Sequence, residues 1–112
     1  MRNTVVKLLR LVLTFPLLSM PAMAGDNLAT LTLKDHKFTP VEIHVKAHTP
    51  TTITIANQDD ASEEFDSNAL KTEKVVPGHS TGTVRVRPLA PGRYPFMGEF
   101  HSETARGVVI AE

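Results

Sequence analysis

The segment YPFMGEFHSETARG, Tyr94 to Gly107, sets a thioether, an imidazole and carboxylates within a few residues of one another, around a glycine. Met97, Glu99 and His101 carry donors of three kinds. A thioether is soft and suits Cu(I), an imidazole is borderline, and a carboxylate is hard and suits Cu(II), iron or manganese. Such a mixed set can hold a metal in either oxidation state without being optimal for one. The competing use of Met97, the one methionine beyond residue 24, is to fill a gap in a hydrophobic core. The competing reading of the whole segment is a strand end whose polar residues face water.

A second cluster lies upstream in NQDDASEEFDSN, Asn57 to Asn68. Five carboxylates crowd it: Asp59, Asp60, Glu63, Glu64 and Asp66. Asp59 and Asp60 read as solvated loop residues. Glu64 and Asp66 flank Phe65, so an inward Phe65 puts both carboxylates on the opposite face, where one could lend an oxygen donor to a neighbouring strand end. Calcium loops alternate Asp or Asn about a central glycine, and that pattern is missing.

Other chemistries find no support. The chain has no cysteine, no glycine-framed serine nucleophile and no glycine-rich phosphate loop. His44 and His48 are four apart but flank the end of a β-branched run, so they form no helical zinc pair. His36, His44, His48 and His79 sit in turns or at polar strand positions and read as solvated. His101 differs by its company.

Residues 1–24 combine Arg2, Lys7 and Arg10, a short apolar run and a small-residue ending at Ala22 and Ala24, the layout of a secretory signal peptide. The run is too short for a membrane span of roughly 20 apolar residues, and Pro16 and Pro21 interrupt it. Without cysteine, a cysteine-linked lipid anchor is excluded, and the lack of paired arginines at the start weighs against twin-arginine export of a folded, loaded protein. The expected mature chain, 25–112, is one small periplasmic domain that acquires any cofactor outside the membrane. Its nine Lys and Arg against twelve Asp and Glu give a net charge of about −3. That balance, with one Tyr and no Trp, offers no footprint for nucleic acid.

The elements that must position both clusters are strands. Leu31 and Leu33 alternate with Thr30 and Thr32, Val41, Ile43 and Val45 with Glu42, His44 and Lys46, and Ile53 and Ile55 with Thr52 and Thr54. TGTVRVRPL, GRYPFMGEF and GVVIAE follow. Turn signals at Thr39-Pro40, Thr49-Pro50, Pro77-Gly78 and Pro91-Gly92 punctuate them. Short strands about ten residues apart predict an antiparallel sandwich. Asn68 to Val75 is the one stretch that could hold a short helix or an irregular crossing.

The run from Phe38 to Asn57, F-T-P-x-x-I-x-V-x-x-x-T-P-x-x-I-x-I-x-N, followed by E-E-F-D and then P-L-x-P-G-x-Y-x-F, resembles a cupredoxin over essentially all of 25–112. The resemblance implies an all-β, Greek-key β-sandwich. In blue-copper cupredoxins a histidine shortly after that asparagine is the first ligand, and a Cys, a His and a Met on the last inter-strand loop complete the set. Here E-E-F-D stands where the first histidine would be, and M-G-E-F-H stands where C-x-x-H would be. This thiol-free pattern is similar to the cupredoxin-like proteins of bacterial ferrous-iron uptake. The resemblance implies copper as cofactor, redox-active or not, and ferrous iron as an ion handled or oxidised for import, with a membrane iron permease and a periplasmic iron-binding protein as partners. The expected metal ligands are Glu64, Met97 and His101, with Asp66 and Glu99 as alternatives or supports. The rivals are a metal-free interaction module and a copper chaperone, although a chaperone would be expected to be richer in Met and His.

Overall fold

Alternating apolar and polar residues become strands whose apolar members turn inward. In the computed structural model, which describes residues 25–112, these are β1 (Asn27–Lys34), β2 (Lys37–Thr39), β3 (Glu42–Val45), β4 (Thr51–Asn57), β5 (Glu63–Ser67), β6 (Thr72–Val76), β7 (Thr81–Val86), β8 (Gly92–Gly98) and β9 (Arg106–Ala111). The expected signal peptide, 1–24, lies outside the described residues. The one helical element among the described residues is a 3-10 turn, Glu99–His101.

Four strands form one sheet in the order β2-β1-β4-β7, and five form the other in the order β3-β9-β8-β5-β6. Leu31, Leu33, Ile53, Ile55, Val84 and Val86 from the first sheet meet Ile43, Val45, Phe65, Val76, Phe96 and Val109 from the second. Phe38, Phe65 and Phe96 form the aromatic centre of this core, with ring centroids 5.1 to 6.3 Å apart and two of the three pairs edge-to-face. The chain crosses between the sheets repeatedly, as a Greek-key sandwich does.

Three details differ from the sequence-based expectation. The sandwich is mixed rather than antiparallel, since β1 pairs with β4 and β3 with β9 in parallel. Asn68 to Val75 holds neither helix nor crossing: a tight turn with Lys71 at φ 54° leads straight into β6, which pairs antiparallel with β5. Val41, expected to join the buried phase of β3, is exposed and precedes the strand.

Asn57, at the end of β4, is buried. Its side-chain amide donates to the carbonyls of Ala61 (2.9 Å) and Val76 (3.1 Å), and its Oδ1 accepts from the Asp59 amide (3.0 Å). One side chain thus satisfies the backbone of the acidic loop and aims the chain into β5. Asn57→Ala leaves those groups unpaired, and a loss of about 1–3 kcal/mol is expected from the denaturant midpoint.

Candidate metal centre

The strand phase of β5 decides which carboxylate enters the fold. Glu63, Phe65 and Ser67 point inward, and Glu64 and Asp66 point outward. Glu63 is only 2% exposed, yet it is well supplied with donors. Its Oε1 accepts from the amides of Phe100 (2.8 Å) and Glu64 (3.1 Å), and its Oε2 faces Nδ1 of His101. The 3-10 turn after β8 makes this possible by folding His101 back over the strand end. The turn is closed by Thr104 and Ala105 amides donating to the His101 carbonyl, at 3.1 and 2.9 Å.

Counting back along C-x-x-H spacing from His101 brings one to Gly98. A Cβ there would lie 2.6 Å from Cδ of Glu63 and 2.8 Å from the Cβ of Ala105. The Glu63 carboxylate fills the volume that a ligating thiol would need. A blue-copper centre, which requires a thiolate with two imidazoles, therefore does not fit the residues present. What remains is a set of nitrogen, oxygen and thioether donors.

A third residue reaches this end of the sandwich from the first sheet. Asp35 and His36 form the two-residue turn between β1 and β2, both with positive φ (52° and 57°), the backbone that matches a tight hairpin. Asp59 holds that turn by accepting from the amides of Asp35 (2.7 Å) and His36 (3.0 Å). The His36 amide, chiefly, keeps the Asp59 carboxyl below its ordinary pKa, and the Asp35 amide adds to this against a partial burial that pushes it up. So clamped, the His36 ring stacks on His101, with centroids 3.6 Å apart and planes 18° from parallel. Sequence reasoning read His36 and Asp59 as solvated and passed over Glu63. The signal for Glu63 was its place two residues before an inward phenylalanine.

The five expected ligands do not converge on one site. Glu64, Asp66 and Met97 share the outer face of the five-stranded sheet, where Asp66 is directly opposite Met97. Glu73 lies opposite Asp66 on the same face. Partial burial, then the nearby Glu73, pushes the Glu64 carboxyl above its ordinary pKa. Glu99 is exposed on the 3-10 turn, and His101 belongs to the inward end with Glu63. The 3-10 turn is the reason: it ends β8 at Gly98 and folds His101 back over the strand end, off the face that Met97 shares with Glu64 and Asp66. Among the described residues no three His, Asp or Glu side chains already stand as a metal cage. His44, elsewhere, bridges Glu112 (2.8 Å) and Glu42 (3.3 Å), and these two carboxylates raise its pKa in that order.

Two outcomes are expected here. Gly98→Ala and Glu63→Ala should each destabilise, but the double variant should lose less than the sum, by about 1 kcal/mol or more, because one side chain vacates the space the other needs. For Asp59, the folded pKa is lowered, so its contribution is full above the unfolded value of about 3.9 and is lost as pH falls through the folded one. Asp59→Asn should be less stable than the parent at neutral pH, and the gap should close below about pH 4 in unfolding titrations.

The profile of the family described as cupredoxin-like domain matches residues 7–111. An uncharacterized protein of Rickettsia prowazekii (strain Madrid E), RP394, is 40% identical over 92 residues, which is 80% of this chain and 74% of that protein. Among solved structures, a copper binding protein in the apo form superposes with a TM-score of 0.69 at 18% identity, covering 79% of this chain and 89% of that one. The metal-binding domain of the Cu(I)-exporting P-type ATPase CopA of Streptococcus pneumoniae D39, with Cu(I), gives 0.67 at 15% identity, covering 80% and 88%. Auracyanin A, a blue copper protein of Chloroflexus aurantiacus, gives 0.66 at 15%, covering 79% and 100%. At such identities the structural likeness shows the fold alone. Residue pattern, sandwich topology and profile agree, and the chain belongs to the family of cupredoxin-like domains.

Proposed function

We propose that the domain is a thiol-free copper-binding protein of the periplasm that handles ferrous iron on its way to a membrane permease, beside a periplasmic iron-binding protein. One observation carries the reading. The two segments on which the resemblance to iron-uptake cupredoxins rests, E-E-F-D-S and Y-P-F-M-G-E-F-H, are joined by the pairing of β5 with β8, Phe65 opposite Gly98 and Asp66 opposite Met97. Two carboxylates and a thioether thereby share the outer face of this strand pair, and the imidazole of His101 stands at its inward end. Oxygen donors suit iron, and imidazole suits copper.

A metal-free docking module is the second reading, and the closed space at Gly98 favours it. Copper titration of the purified protein separates the two. Under the first reading one Cu(II) binds per chain without the intense thiolate-to-copper absorption, and loss of the gene slows growth when ferrous iron is scarce. Absence of copper binding, with growth still impaired, points to the docking module. Normal growth on scarce ferrous iron removes the iron role.

A further inference from the structure

We propose that the copper of this domain sits outside the sandwich, on the outward edges of His101 and His36, with Glu63 orienting His101 rather than binding the ion. The inference rests on the copper-binding reading above and specifies its ligands.

The interior position is excluded by the Glu63 carboxylate, which occupies the space beside Gly98. That same carboxylate prepares His101 as a ligand. A metal-bound imidazole commonly donates its second ring N–H to a carboxylate, which fixes the tautomer and raises the basicity of the ligating nitrogen. Here Nδ1 of His101 faces the buried Glu63 Oε2, so in the neutral ring the proton sits on Nδ1 and the lone pair on Nε2. Glu63 has little freedom to do otherwise, since two amides already hold its other oxygen. About a quarter of the His101 side chain remains exposed, enough for an ion to reach it from solvent.

His36 supplies the second imidazole. Among the described residues, its only protein hydrogen bond is through its backbone amide to Asp59, which leaves both ring nitrogens free. Stacked rings present their lone pairs side by side, not at a common point, so binding one ion requires one ring to turn. His101 is locked by Glu63, so the ring that turns is His36, on its half-exposed two-residue hairpin. The open depression at this end is lined by His36, Phe100, His101, Ser102, Glu103 and Thr104, where water or oxygen donors complete the coordination. Two imidazoles without thiolate favour Cu(II) over Zn(II) by the ordinary order of divalent affinities.

The test is a competition titration of Cu(II) against a chelator, with electron paramagnetic resonance of the bound ion and NMR of the histidine rings. The parent should show coupling to two nitrogens, and paramagnetic Cu(II) should broaden the ring resonances of His36 and His101 ahead of those of His44, His48 and His79. His36→Ala and His101→Ala should each weaken Cu(II) at least about 10-fold, and His36→Ala should leave one coupled nitrogen. Glu63→Gln should weaken binding about 10–100-fold with both nitrogens retained. Should that variant not fold, His36→Ala, on a half-exposed turn, decides alone. Met97→Leu and Glu64→Gln should leave Cu(II) affinity unchanged. Parental affinity and spectrum in His36→Ala overturn the inference. If Met97→Leu or Glu64→Gln then abolishes binding, copper lies on the outer sheet face and the functional reading survives alone. If the parent binds no copper, both fall.

Discussion

Much of this domain follows from burying one carboxylate, Glu63, inside it. An ion moved out of water without compensation costs several kcal/mol, so it is tolerated only with a full set of donors. The Phe100 amide, the Glu64 amide and the His101 ring provide them. Each donor constrains its own segment. The 3-10 turn must present the Phe100 amide inward, and His101 must fold back over the strand end. Residue 98 has to be glycine, because a Cβ there would collide with the carboxylate itself.

That site hangs on a scaffold that tolerates little slack. Phe65, two residues along β5 from Glu63, packs with Phe38 and Phe96 at the centre of the core. Phe96 lies two residues before Gly98, and Phe38 two after His36. One aromatic cluster therefore sets the heights of the three strands that deliver Glu63, His101 and His36. Asn57 and Asp59 do the corresponding work on the loop between β4 and β5. Asn57 satisfies the loop's backbone, and Asp59 ties it to the β1–β2 turn. The hydrophobic core and the polar end are one mechanical unit.

Period-two alternation made the buried faces of β1, β3, β4 and β5 legible, including the inward Phe65 and the shared outward face of Glu64 and Asp66. Which outward face that would be was not legible. Strand parity says that Glu64 opposes Phe65, but only the stacking of two sheets says that the opposite side is the outer surface of the sandwich. Glu63 was readable in principle, since it shares the phase of Phe65. Chemical habit worked against it, because a carboxylate two residues from a core phenylalanine is rarely buried. The His36–His101 stack depends on two turns from different sheets and has no local signal. The parallel pairs were equally hidden, because local patterning does not fix which non-sequential strands become neighbours. The sequence likewise named the missing cysteine without showing that a carboxylate had taken its space.

Replacing a thiolate by an internal carboxylate–imidazole pair changes what such a domain can do with a metal. A thiolate inside the sandwich gives strong covalency, a tuned potential and a shielded ion. Filling that space with Glu63 shifts any ion bound through His101 toward solvent, where ligand exchange is easier and a second ion or a partner can approach. Sequestration and rapid outer-sphere electron transfer lose by this arrangement, and hand-over gains. The outer face, with Glu64, Asp66 and Glu73 around Met97, reinforces the same bias, because its crowded carboxylates are most readily relieved by a proton or a cation. Under the proposed function, both features suit a protein that meets metal ions at its surface and passes them on.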